Sequence, residues 1–276
     1  MGKEITGRYV TVDNTRIYFD ECGEGIPLLC IHTAGACSLE YRHFMPIMAE
    51  NGFRVVGPDL PGHGKSYPVG WGPIREMHQY AEFVWKVGKA IFGGEKIVVL
   101  GMSIGGDMSL DIACHHSEEL LAAVVMEGAG QTPTFANTME IEHPHACPGF
   151  QELVDRGSTM SVSHPCAEEI LTELTWQHRF ACQEIGTADL QCWSKHDCRE
   201  QLPDIKCPTL IFRGEDDYYV PEELVDDTLA RIPSEFGEKV IVKEVGHYPA
   251  FEKPEFAAKI VLDFLARRGI GRKVDG

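Results

Sequence analysis

Six short apolar runs, each too brief for a helix and set off by Gly and Pro, recur along this chain and limit its fold more than any other feature. They are Pro27 to Ile31, Arg54 to Pro58, Lys96 to Leu100, Ala122 to Met126, Thr209 to Arg213 and Lys239 to Val245. Longer segments of helical periodicity separate them, at Tyr41 to Ala49, His78 to Phe92, Ile104 to His115 and Glu222 to Arg231, with a last one at Pro254 to Arg267. Strands that are apolar throughout need cover on both faces, so the alternation predicts a largely parallel sheet between layers of helices. Upstream, Arg8 to Val12 and Arg16 to Glu21 alternate apolar and polar residues around Asp13-Asn14-Thr15. That is a hairpin pattern, and it brings the predicted sheet to eight strands.

The alternation stops between Gln131 and Gln201, a stretch as long as two strand-helix units that holds no clean strand and is rich in His, Trp, Cys, Thr and Glu. Parts of short helices are expected at Glu152 to Val154, Ala167 to Thr175 and Thr187 to Lys195. The reading is a helical lid, residues 131–201, inserted into one sheet domain made of residues 1–130 and 202–276. Trp176, Phe180 and Trp193 are expected to face the sheet domain, as lid core or pocket lining, and the tail Arg268 to Gly276 to fray.

Composition narrows the partners. A chain of 276 residues can bury one large core, and its net charge of -17 opposes nucleic acid and anionic membrane surfaces, whose binding relies on Lys and Arg. A small neutral or hydrophobic substrate fits better. Met1 to Ile5 carries no apolar leader and no run approaches membrane-spanning length, so a cytoplasmic protein, monomer or homodimer, is expected. Ten cysteines lie scattered without CxxC pairs, several inside apolar runs such as Leu28-Leu29-Cys30-Ile31, which reads as reduced, buried thiols.

Chemistry concentrates at three loops. Gly101-Met102-Ser103-Ile104-Gly105-Gly106 joins a strand directly to a helix, the setting in which a serine is held on a sharp turn with small residues around it. A serine hydroxyl needs a base to take its proton and a third group to orient that base. Downstream, Gly214-Glu215-Asp216-Asp217-Tyr218-Tyr219-Val220-Pro221 and Gly246-His247-Tyr248-Pro249 each follow an apolar run. Loops at the carboxyl ends of parallel strands share one edge of the sheet, so Ser103, Asp217 and His247 can converge there.

These three loops, with His32 after the third strand and Asp59-Leu60-Pro61-Gly62-His63-Gly64-Lys65-Ser66 after the fourth, resemble the α/β-hydrolase fold superfamily over nearly the whole chain. In that family the acid stands three residues after the Gly of its loop and three before the Val of Val-Pro, which selects Asp217 over Asp216 and Glu215. Glu127 is the alternative, because Met126-Glu127-Gly128 ends the strand after the elbow helix, where some members carry the acid. The resemblance also implies an oxyanion hole from the backbone N–H of Ile104 and of a residue in the loop after His32, namely Ala34. There the family commonly has His-Gly, whereas this chain has His32-Thr33-Ala34-Gly35. Either the loop takes an ordinary conformation, or the Thr33 hydroxyl enters the pocket as a further donor. Thr33, Met102, Trp176, Trp193 and Tyr248 are the candidate substrate-binding residues, while His32 and His63 belong to motifs whose His commonly makes structural hydrogen bonds.

The activity so implied is acyl transfer through Ser103 on a carboxylic ester or lactone. Hydrolysis of a carbon-carbon bond, as in the meta-cleavage product hydrolases of the same scaffold, is the runner-up, and a hydrolase-like ligand receptor comes third. Ser103 stands where epoxide hydrolases and haloalkane dehalogenases use Asp. No cofactor or metal is implied: His143-Pro144-His145-Ala146-Cys147 has neither zinc-ligand spacing nor an evident fourth ligand.

Overall fold

A computed structural model describes residues 4–133 and 150–271. Eight strands, β1 Thr6–Val12, β2 Thr15–Cys22, β3 Ile26–Ile31, β4 Phe53–Pro58, β5 Ile97–Met102, β6 Leu120–Met126, β7 Thr209–Gly214 and β8 Gly237–Val242, form one sheet in the order β1-β2-β4-β3-β5-β6-β7-β8. From β4 to β8 every pairing is parallel; β2 runs antiparallel to β1 and to β4. The hairpin closes through Asp13 and Asn14, both left-handed at φ 46 and 61, between the paired Val12 and Thr15. Short polar side chains tolerate that conformation, which suits a two-residue turn between twisted strands.

Around the sheet lie helices α1 Phe44–Glu50, α2 Met77–Phe92, α3 Ile104–His116, α4 Phe150–Met160, α5 Glu168–Arg179, α6 Gln183–Trp193, α7 Glu222–Arg231, α8 Pro249–Glu252 and α9 Pro254–Arg267. Alternate residues of each strand point to opposite faces. Leu29, Ile31 and Val99 therefore pack with Val84 and Ile112 of α2 and α3, while Leu28, Cys30 and Val98 pack with Phe44 and Phe264 of α1 and α9. Two cores result, one on each side of the central strands, and each needs the unbroken apolar runs seen in the sequence.

Three local expectations shift. The segment predicted as one helix from Tyr41 opens as a 3-10 turn at Ser38–Tyr41 before α1 begins at Phe44. The last strand stops at Val242 rather than Val245, because Glu244 turns into the left-handed region at φ 54. The short α8 was not expected at all.

Between β6 and β7 the chain runs through α4, α5 and α6, and the ends of this excursion meet in an antiparallel bridge between Gln131 and Asp197. Glu152 to Val154 lies inside α4, whereas α5 runs beyond the expected Thr175 to Arg179 and α6 begins at Gln183, ahead of Thr187. The His143 to Cys147 motif lies outside the described residues. Every described cysteine is a free thiol, buried except for Cys166 and Cys182. Among the described residues no helix is long and apolar enough to cross a membrane.

Candidate active site

The strand order turns back on itself at β3, whose neighbours β4 and β5 are reached in opposite directions along the sheet. Connections on either side of such a point diverge and leave a crevice above the strand ends. Ile31 of β3 stands opposite Gly101 of β5, so the loop after His32 and the turn at Ser103 open onto that crevice side by side. Ser103 sits at φ 55 and ψ -123, a strained setting for a residue with a side chain. It is held there by its N–H donating to the Met126 carbonyl at 2.9 Å and its carbonyl accepting from the Asp107 N–H at 2.9 Å. A Cβ at Gly101 would strike the Gly105 backbone, and one at Gly105 the Ile31 and His32 carbonyls. The elbow exists because those two positions are glycine.

Ile104 opens α3, where the first N–H groups of a helix have no partner within it. Neither its N–H nor that of Ala34 donates to another group among the described residues. Both remain available to an oxyanion. The Ser103 hydroxyl likewise makes no hydrogen bond among the described residues; the contact between nucleophile and base is often loose until substrate binds.

β7 and β8 deliver the other two groups. The His247 Nδ1 lies 2.9 Å from Asp217 Oδ1, and the backbone N–H of Tyr219 also donates to that oxygen at 2.8 Å. Asp216 is turned elsewhere, accepting from the Ser163 hydroxyl at 2.6 Å. Burial draws the His247 imidazole down, but the Asp217 charge and hydrogen bond outweigh it, with Glu40 and Glu252 adding to the effect, and leave the ring above its ordinary value. Burial likewise pushes Asp217 up, yet His247, Glu127 and the Tyr219 N–H hold it below the usual carboxylate range. Ser103, Asp217 and His247 are 8%, 6% and 4% exposed, so the rim is covered. Two surface clefts of about 400 and 330 Å³ lie elsewhere, beside Asp197 and His78.

The loop after β3 settles the alternatives left open for Thr33. Its backbone is not among the left-handed residues, and both its N–H (2.9 Å) and its hydroxyl (2.7 Å) donate to the Glu40 carboxylate. The Thr33 hydroxyl proton is therefore engaged with Glu40. Burial pushes the Glu40 carboxyl up to about 7, against the lowering effect of the two Thr33 bonds and His247. His32 is structural: its Nδ1 meets the Thr33 carbonyl at 2.7 Å and its Nε2 accepts from the Leu60 N–H at 2.9 Å. His63 pairs with Asp189 of α6 at 2.8 Å, and the same Asp189 oxygen accepts from the Gly35 N–H at 3.1 Å. One carboxylate of the insertion thus fixes the residue next to Ala34.

The aromatic candidates separate. Trp193 is buried, its indole hydrogen-bonded to Asp107, and it meets Tyr219 edge to face, which in turn packs on the His247 ring. Tyr248 also packs edge to face with His247, with a ring-centroid separation of 5.3 Å. Trp176 and Phe180, expected to face inward, instead stand in solvent at 54% and 62% exposure, touching each other across the outer side of α5. They stand four positions apart, Trp176 in the last turn of α5 and Phe180 just past its end, and the buried face of α5 is taken by Leu174, Gln177 and His178. Met102 also departs from its expected role: it alternates into the core layer with Leu100 and Met126. Sequence reading missed Glu40, Asp107 and Asp189, each a lone acid in a helical or turn segment with no local pattern to single it out.

Among the described residues two groups have the closeness a cation needs: Glu127 with Asp217 and His247 at the site, and His78 with Asp111 and His115 on α2 and α3. In the first, Asp217 and His247 are already bound to each other and Glu127 to the Gly214 N–H.

A family model described as alpha/beta hydrolase fold matches residues 26–156. Among curated proteins the chain is similar to the 2-hydroxy-6-oxo-6-(2'-aminophenyl)hexa-2,4-dienoic acid hydrolase of Metapseudomonas resinovorans, with 27% identity over 95% of this chain and 91% of that one. Among solved structures it superimposes on an enol-lactonase from Burkholderia xenovorans LB400 with a TM-score of 0.83 at 18% identity, covering 94% of this chain and 100% of that one. An esterase from Thermogutta terrifontis gives a TM-score of 0.79 at 21% identity, covering 96% and 99%.

Proposed function

This chain belongs to the α/β-hydrolase fold superfamily and is a hydrolase, and from that premise we propose that it cleaves an uncharged carboxylic ester or lactone through an acyl-enzyme on Ser103. The observation that carries the reading is the buried His247–Asp217 pair on the same sheet rim as the strained Ser103. With Nδ1 bound to Asp217, Nε2 is left as the basic nitrogen. It takes the Ser103 proton as the hydroxyl attacks the carbonyl carbon, and the Ile104 and Ala34 N–H groups receive the oxyanion. The imidazolium then protonates the departing alkoxide, and water, deprotonated by the same ring, releases the acid.

The charge around the site favours an uncharged substrate. Arg213 is the one buried arginine among the described residues, and its guanidinium donates to the carbonyls of Val220, Glu215 and Asp217. In the insertion Arg179 and Arg199 pair with Asp155 and Asp197 at the surface, and Arg156 and Lys195 are exposed. Facing the rim instead are carboxyls, Glu40, Asp107 and Glu252. A carboxylate substrate would meet no free cation there among the described residues.

Carbon-carbon hydrolysis of a dienoate is the second reading, favoured by the curated relative that matches nearly end to end. Aryl esters, lactones and a ring-cleavage dienoate, offered to the native protein and to Ser103→Ala, separate the two. The expected result is ester or lactone turnover that falls by several orders of magnitude in the variant, with an acyl adduct on Ser103 by mass spectrometry. Dienoate cleavage exceeding ester cleavage would favour the second reading, and a fully active Ser103→Ala would overturn both.

A further inference from the structure

Glu127 follows the last residue of β6 and is held at φ 50, left-handed for a residue with a side chain, by its N–H donating to the Phe212 carbonyl at 2.9 Å. Its side chain is wholly buried. Oε1 accepts from the Gly214 N–H at 2.6 Å, but Oε2 has no donor. Asp217 stands in the same position: Oδ1 is bound by His247 and Tyr219, while Oδ2 is buried and also lacks a donor. An oxygen of each carboxyl and a ring nitrogen of His247 lie within 4.8 Å of one another. Two buried acceptors left without donors are costly, and two neighbouring carboxylates cannot both keep their charge in such a place.

Among the described residues the surrounding groups offer no other remedy. From β7 and its loop, Arg213 is the nearest cation, and its donors go to three backbone carbonyls. From the loop after β8, the His247 Nδ1 is already on Asp217, and Glu252 accepts from the N–H groups of Ser163, Gly246 and Tyr248. From α3, Asp107 accepts from the Ala129 N–H, and Glu40 is bound to Thr33. One proton placed between Glu127 and Asp217 satisfies both orphaned oxygens at once.

We propose that Glu127 is a neutral carboxylic acid in the working enzyme, keeps its proton while donating a hydrogen bond to Asp217, and so acts as a positioning residue that holds Asp217 ionised and fixed against His247. The inference rests on the triad reading given above and deepens it. Electrostatics run the same way: burial, then the Asp217 charge, push Glu127 well above the usual carboxylate range, while its hydrogen bond helps keep Asp217 below it. Ser103 and Glu127, two left-handed residues of this rim, thus follow neighbouring strands and serve one proton chain.

The test compares Glu127→Ala and Glu127→Gln on an aryl ester, with pH profiles of kcat/KM and Ser103→Ala run alongside. A glutamine amide accepts from Gly214 and donates to Asp217 as the protonated acid does. Glu127→Ala should lower kcat by about tenfold or more with KM little changed, and Glu127→Gln should restore most of that loss with the acid limb of the profile in place. The infrared band of a protonated carboxyl at neutral pH should be lost from native protein to Glu127→Gln, a readout that survives if Glu127→Ala does not fold. An acid limb displaced to lower pH by about one unit in Glu127→Gln would show an anion removed from beside the imidazole and overturn the proposal, as would a fully active Glu127→Ala. If Ser103→Ala stays active, it is the triad reading that fails.

Discussion

The sheet domain and the helical insertion are held by different forces. Between β3 and β7 the strands are buried on both faces in two continuous apolar layers, and the catalytic candidates stand at their ends. Among the described residues the insertion joins that body at fewer apolar points: Cys192, Trp193 and Cys198 enter one of the two layers, and Val162 and Leu174 form a small cluster with Tyr248 and Phe251. Much of the rest is polar: Asp189 to His63 and the Gly35 N–H, the Ser163 N–H to Glu252 and its hydroxyl to Asp216, and the His247 N–H to the Ser161 carbonyl. Apolar layers fix position over many contacts and tolerate no shift. Buried hydrogen bonds carry a larger share of the join to the insertion, and each is tied to one geometry.

This contrast can be broken in order of effect. Asp217→Asn, which leaves His247 without its orienting charge, should reduce kcat by about four orders of magnitude while Asp216→Asn keeps turnover within severalfold; equal losses in steady-state assays would move the catalytic acid. Asp189→Ala strands the His63 ring and the Gly35 N–H, and should cost about 3 kcal/mol, a fall in Tm of roughly 6–12 °C by calorimetry. A Tm within a degree of native would mean that the insertion is not latched there.

Glu40→Gln tests the coupling across the crevice. The kcat/KM profile falls as pH drops through the value of His247, because the base must be neutral, and Glu40 helps raise that value. Removing its charge should move the acid limb to lower pH, by up to about one unit for a partner this close. An acid limb that does not move would mean that the carboxyl is not charged beside the ring. Least affected should be Trp176→Ala, on the exposed side of α5: stability within about 0.5 kcal/mol and unchanged turnover. A large rise in KM would place that face against substrate after all.

Much of the site could be read in advance because its residues end strands whose apolar runs are unmistakable. Ser103, Glu127, Asp217 and His247 each stand just beyond such a run. Trp176 and Met102 could not be placed that way: a helix of mixed character does not announce which face it buries, and the residue before Ser103 alternates into a core layer. Asp189 and Glu40 were invisible, since each acts on a partner far away in the chain, 126 residues for His63 and 7 for Thr33 across a turn.

The sequence by itself determined the order of strands and helices, the elbow and the identity of its serine, because periodicity and glycine placement act over a few neighbouring residues. Tertiary structure alone decided what engages Thr33, which aromatic rings turn inward and that two carboxyls share one buried space. Those outcomes depend on burial and charge between segments that meet only after the sheet has formed, and no local pattern of residues encodes them.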